Sequence, residues 1–160
     1  MAVDMFIKID GIKGESLDKT HKDTIDVLAW SWGASQSGTR HMGAGGGAGK
    51  ANIQDLSLTK WVDGSSPPLL QSCITGKHIK SANLVVRKAG EKPHEYLKIN
   101  LNEILITSVS TGGSGGDDRL TENITINFAE VEFIYVPQAG TGAGAGNNSF
   151  KYNIPENTSK

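Results

Sequence analysis

The sequence predicts an all-β chain: an antiparallel β-barrel of two packed sheets with one short α-helix on its flank. Apolar residues recur at every second position in several runs along the chain, the period of a half-buried strand. Thirteen of the 20 glycines gather into three clusters, Gly43 to Gly49, Gly112 to Gly116 and Gly140 to Gly146, that fall between those runs. One segment, Ser66 to Gly76, breaks the rhythm with helical spacing. Several strands with a single helix favour a closed or nearly closed barrel.

Taken in order, Val3, Met5, Ile7 and Ile9 alternate with Asp4, Phe6, Lys8 and Asp10, giving a first strand with one mostly polar face. In the next run, Ile25, Val27 and Ala29 share one face, and Asp26, Leu28, Trp30 and Trp32 the other. Large aromatics beside a leucine on one strand face read as a core-facing side. The side opposite Trp30 and Trp32 carries the small residues Ala29, Ser31 and Gly33. Leu56, Leu58 and Val62 keep step through Ile53 to Val62, and Ala82, Leu84 and Val86 alternate with Asn83, Val85 and Arg87. Tyr96 to Leu101 and Ile104 to Val109 form two more runs, with Asn102 and Glu103 between or inside them.

In the last long run Leu120, Ile124, Ile126 and Phe128 share one parity, but Val131, Phe133 and Tyr135 take the other. A period of two cannot change phase without an extra residue or a bend, so a β-bulge or corner is expected near Ala129 and Glu130. In the helical segment, Ser66 is the expected N-cap and Pro67 the first helical residue. Leu69, Leu70, Cys73 and Ile74 make one apolar stripe, and Gly76 is the stop. Such a helix would cover one open end of the barrel. Residues 1–137 then form one barrel domain, followed by a glycine- and asparagine-rich tail over 138–160. Phe150, Tyr152 and Ile154 alternate within that tail, which leaves open a short final strand or no fixed structure.

Sixteen basic and 17 acidic residues leave a net charge of −1, without the cationic surplus that displaces counterions from nucleic acid. No run of 18 apolar residues exists, so no membrane insertion is expected. Cys73 is the only cysteine, which excludes an internal disulfide framework and a cysteine-rich zinc site. Met1-Ala2-Val3-Asp4 leads directly into a strand pattern with neither a basic nor a long apolar leader. The chain is therefore expected in the cytoplasm when made, and any export must use a route that reads no N-terminal signal.

The search for chemistry is mostly negative. Gly43 to Lys50 looks like a phosphate loop, but Ala44 stands where its first glycine belongs and Ala51 replaces the Mg²⁺-binding hydroxyl. A strand pattern follows, where a nucleotide site needs a helix. His21, His41, His78 and His94 are scattered without ligand spacing. Asp117-Asp118 and the pair Glu130 and Glu132 read as a solvated turn and a solvated strand face. No catalytic residue, metal ligand or cofactor site is assigned.

Several blocks, in one order, carry a family likeness. They include Met1 to Ile9, Gly14-Glu15-Ser16, Ile25 to Gly33, Ser35 to Gly38, and His41-Met42-Gly43 running into the glycine loop. Gln54 to Ser57, Gly76-Lys77-His78, Val86 to Gly90, Ser108 to Gly116 and Asp118 to Asn123 continue the series. Together they resemble the haemolysin-coregulated protein (Hcp) family of bacterial type VI secretion. The likeness runs to about residue 136, and 138–160 match poorly.

The resemblance implies a barrel similar to phage tail-tube proteins, assembled as a homohexameric ring. Rings stack into a hollow tube that a contractile sheath propels, capped by a spike of the valine-glycine repeat family and carrying small effector proteins in its lumen. It further implies secretion to the extracellular space or a target cell. On that reading the Thr39 to Lys50 loop is the candidate contact between stacked rings. Gly43, Gly45, Gly46, Gly47 and Gly49 let its backbone reach and fit closely, and Arg40, His41, Met42 and Lys50 supply side chains. The candidate lumen face is Ala29, Ser31 and Gly33. A carbohydrate- or small-ligand-binding barrel and a hydrolase on a β scaffold are the competing classes; the first predicts a monomer or dimer with an aromatic-lined site, the second a convergent polar pocket.

Overall fold

The computed structural model describes residues 2–38, 50–138 and 148–159. Ten strands and one helix follow in chain order: β1 Val3–Ile9, β2 Ile25–Ser31, β3 Ala34–Ser35, β4 Asn52–Ile53, β5 Leu56–Trp61, α1 Ser66–Thr75, β6 His78–Lys88, β7 His94–Thr111, β8 Thr121–Tyr135, β9 Asn148–Asn153 and β10 Thr158–Ser159.

Six strands close into an antiparallel barrel in the order β8-β5-β2-β1-β6-β7, and β7 returns to pair with β8. The two layers of the barrel are thus parts of one continuous sheet. β9 and β10 extend that sheet from the second half of β8, so the Phe150 and Tyr152 alternation does mark a strand. β3 and β4 form a separate two-stranded ribbon.

The core is the inward parity of these strands. Ile7, Ile9, Ile25, Val27, Leu56, Leu58, Ala82, Leu84, Ile99, Leu101, Ile124 and Ile126 are all buried in one cluster. Phe6, expected on the polar face of β1, is only 5 % exposed. The loop over residues 10–24 folds back across it, and the His21 ring stacks on the Phe6 ring with centroids 4.8 Å apart.

The phase change in β8 is present: Phe128 is buried, then Val131, three residues on. Its cause is a crease shared by three strands, with no inserted residue in β8. Buried positions switch parity together, from Ile79 to Ala82 in β6 and from Leu101 to Ile104 in β7. Ladder pairing lapses along one line through Lys80, Glu103 and Ala129, while the register on either side is unchanged. Glu103 stands on that line with a left-handed φ of 53°. A kink common to all three neighbours inverts the pleat without slipping the strands. β7 is accordingly one strand of 18 residues.

Two expectations for side-chain facing fail. A register shift between Val27 and Ala29 flips the parity of β2. Ile25 and Val27 are therefore in the core, Trp30 packs against it, and Leu28, expected on the core face, is 38 % exposed. In α1 the cap residue is Ser65, with Pro at the first positions and Gly76 left-handed at the stop. Its apolar stripe is divided. Leu69 is fully buried and Cys73 packs on the core, but Leu70 faces solvent and Ile74 is 76 % exposed. The helix joins the end of β5 to the start of β6 and packs against β7.

Candidate functional site

Four strand segments form one antiparallel sheet within the barrel: β2, β5, the first half of β8 and the second half of β7. Register sets their outward side chains in level rows. Ser31 lies opposite Ser57, Ser57 opposite Thr125, and Thr125 opposite Ser108. The next row is Ala29, Thr59, Asn123 and Ser110. A shallow concavity of about 350 Å³ runs along β2, β5 and β8. The polar groups bond across the strands: Thr59 Oγ1 donates to Asn123 Oδ1 at 2.7 Å, and the Ser108 and Thr125 hydroxyls are 2.6 Å apart.

Apart from exposed Asp26 near the start of β2, the charges of the same segments point the other way. Lys60 and Glu122 are 0 % and 2 % exposed and form a buried ion pair. Lys60 Nζ also meets Asp63 Oδ1 at 3.1 Å and donates to the Trp61 carbonyl at 2.8 Å. Ser66 Oγ donates to Glu122 Oε1 at 2.6 Å and accepts from the Asp63 amide at 3.0 Å, which ties the first turn of α1 to the cluster. The wall is neutral because its ions are turned inward. Charge returns at its margins, with exposed Asp26 and Arg119, whose guanidinium lies 4.5 Å over the Trp61 ring, and with Asp55, which accepts from Thr107 and Asn127.

Both lateral edges of this sheet are open. β1 pairs with β2 only at Phe6–Asp26 and Ile7–Ile25, so Ala29 to Ser31 have β5 on one side and no described strand on the other. β6 follows β7 only as far as Leu105, so Ile106 to Thr111 have β8 on one side and no described strand on the other. The four strands alternate in direction, which leaves the two open edges running in opposite senses at the same level.

On the opposite wall the 10–24 loop is fastened by charge. Arg87 pairs with Asp18 and with Asp4 at 3.4 Å, its guanidinium 5.0 Å over the Phe6 ring. The hydrogen bond from Arg87 holds the Asp18 carboxyl at about 2, below its ordinary 3.8, and the amides of His21 and Thr20 assist against the opposing effect of burial. His21 Nε2 lies 2.7 Å from Glu95 Oε1. Burial pushes the Glu95 carboxyl up, but His21 and Lys98 together hold it below the usual range.

With this geometry in hand, similarity is decisive. The family model described as "Type VI secretion system effector, Hcp" matches residues 6–135. The chain belongs to the Hcp family. It is 61% identical to the protein hcp1 of Pseudomonas aeruginosa over 159 residues, 98% of each chain. Among solved structures, a type six secretion system protein superposes with a TM-score of 0.92 at 31% identity, over 99% of this chain and 100% of that one. Hcp1 from Salmonella typhimurium superposes with a TM-score of 0.82 at 34% identity, over the whole of both chains.

The sequence-derived site residues of this Hcp protein fall in three places. Ala29 and Ser31 lie exposed on the neutral wall. Gly33 lies past the end of β2, where its carbonyl accepts from the Gln54 amide at 2.9 Å. Arg40, His41, Met42, Gly43, Gly45, Gly46, Gly47 and Gly49 lie outside the described residues. Lys50, just beyond them, is exposed and borders a recess walled by Trp32, Phe150 and Tyr152. Sequence reading missed Ser57, Thr59, Asn123, Thr125, Ser108 and Ser110. Their alternation with Leu56, Leu58, Ile124 and Ile126 was the signal. Among the described residues no helix is long and apolar enough to cross a membrane, and no cluster of three or more His, Cys, Asp or Glu could hold a metal.

Proposed function

We propose that this Hcp protein is a non-enzymatic tube subunit, closing into homohexameric rings that stack as a hollow conduit. The observation that carries the reading is the pair of open, oppositely directed edges on one four-stranded sheet. Because the strand number is even and the directions alternate, β7 of one copy can meet β2 of the next in antiparallel sense, and the same contact repeats around the ring. Such a head-to-tail contact closes if its rotation closes. Main-chain pairing at strand edges is a recurrent mode of association, and an edge left open otherwise invites uncontrolled aggregation. A specific interface needs roughly 800 Å² per partner, within reach of a domain of this size.

In this reading the neutral wall faces the lumen, with Ala29 and Ser31 among its lining. The 39–50 segment, including Lys50, makes contacts between stacked rings. The partners are further copies of the chain, a contractile sheath, a spike of the valine-glycine repeat family and small effector proteins in the lumen. Assembly takes place in the bacterial cytoplasm, and the protein leaves through the machine it builds. Light scattering on the purified protein is the direct test. A species near six times the 17.0 kDa chain mass is expected. A strictly monomeric protein at every concentration would sink the reading.

A further inference from the structure

We infer that the recess walled by Trp32, Phe150 and Tyr152 is a binding site for a small planar aromatic anion, such as an aryl carboxylate. Ring contact on the floor of the recess holds the ligand, and Lys50 at its mouth pairs with the charge. The site shares no residue with the polar rows of the neutral wall, and the inference goes beyond the ring reading without resting on it.

The recess follows from strand pairing. In the β8–β9 ribbon Phe150 stands opposite Phe133 and Tyr152 opposite Val131, so alternation puts all four on one face. Glu132 and Lys151, which also stand opposite each other, take the other face. Trp32, just past β2, has its ring centroid 6.1 Å from that of Phe133 and 6.4 Å from that of Phe150, inclined by only 17° to the latter. The indole N–H donates to the Gln54 carbonyl at 2.9 Å, and the Gln54 amide donates to the Gly33 carbonyl at 2.9 Å. The ring is thus fixed, and it offers a ligand its face alone. With Ile53 of the β3–β4 ribbon beside them, these residues enclose about 480 Å³, inside the range of about 300–1,000 Å³ usual for small-molecule sites. Phe150 is 47 % exposed, so a ligand would bury aromatic surface now in water. Lys50 is the only charged residue in the lining and makes no ion pair among the described residues. Gln36 and Asn157 add neutral amides, and Asn157 already accepts from the Tyr152 hydroxyl. An apolar floor with a single cation at its rim selects flat rings that carry one negative charge. A saccharide fits it poorly, because many hydroxyls would lose their bonds to water with few polar groups to replace them.

The test uses the full chain in its own assembly, whose mass is measured on the same sample so that a failed ring and a failed site are told apart. Three probes are titrated by ligand-detected saturation-transfer NMR. They are 2-naphthoate, 2-naphthylmethylamine with the same rings and the opposite charge, and cellotriose. Naphthoate should bind saturably with a Kd of about 1 mM or below, as expected of a ligand of its size at ordinary efficiency. At about 0.01 M salt, where screening is weak, it should bind about fivefold more tightly than the amine. Lys50→Gln should remove that preference, and Phe150→Ala should weaken both naphthalene probes by more than about tenfold. If Phe150→Ala loosens β9, Lys50→Gln on the exposed rim decides alone. Equal affinity for acid and amine, tighter binding of cellotriose, or no saturable binding overturns the inference. So does naphthoate binding that appears only after deletion of residues 39–49, since that segment would then be the occupant.

Discussion

At the scale of single residues, the most consequential feature is an ion cluster inside a β-barrel core. Lys60 is fully buried with Glu122 and Asp63, and Ser66 links them to the helix. Removing one member of a buried pair leaves the other desolvated and unmatched, which costs more than the pair itself contributes. Lys60→Met should therefore lower unfolding free energy by about 3–5 kcal/mol in denaturant titrations. The double variant Lys60→Met with Glu122→Leu should recover much of that loss. A single variant as stable as wild type would show that the cluster is open to water. The signal for these residues was parity, not used in the sequence reading: Lys60 is in step with Leu56 and Leu58, and Glu122 with Ile124 and Ile126. What sequence could not show is that strands 62 positions apart lie opposite each other at Lys60 and Glu122, so that each charge finds its partner.

At the scale of elements, local pattern was legible where one strand or one turn decides the outcome, and failed where a neighbour decides it. The helix, its prolines and its Gly76 stop follow from local chemistry alone. Its exposed face did not, because which half of the Leu69, Leu70, Cys73 and Ile74 stripe is covered depends on where β7 passes. The β8 phase change was visible in sequence, yet the device behind it lies partly in β7, at Glu103. The 10–24 loop was silent in the hydrophobic pattern, since charge holds it down. Its Asp18 carboxyl titrates at about 2 when paired and near 3.8 when free. A depressed folded-state value means that the attachment is complete above about 3.8 and weakens as pH falls toward about 2. Amide protection of Gly14, Ser16 and Asp23, whose N–H groups bond across the loop, should fall over that window ahead of the barrel amides. Asp18→Asn should show the reduced protection already at neutral pH and no step near pH 3, in the window between those two values. Equal protection in both proteins across the range would mean that the aromatic stack, not the ion pair, fastens the loop.

At the scale of the molecule, the barrel completes its core while both edges of its β2-β5-β8-β7 portion stay open among the described residues, and this asymmetry is the strongest sign of assembly. A monomeric barrel abolishes edges by closure. Here closure is delegated to strand ends, with β1 leaving β2 after two pairs and β6 leaving β7 at Leu105. If β2 of one copy pairs with β7 of the next, residues directly opposite should have Cα atoms about 4.5–5.5 Å apart, within reach of a disulfide. In a Cys73→Ser background, Ala29→Cys combined in one chain with Ser108→Cys or with Ser110→Cys tests two registers. Because one contact joins each pair of neighbours, oxidation should give a non-reducing ladder that ends at six chains. Each single cysteine variant should stay monomeric on the same gel, since a head-to-tail contact never brings identical positions together. A ladder from a single variant would demand a back-to-back dimer, and its absence from both double variants would place the ring contact elsewhere than these two edges.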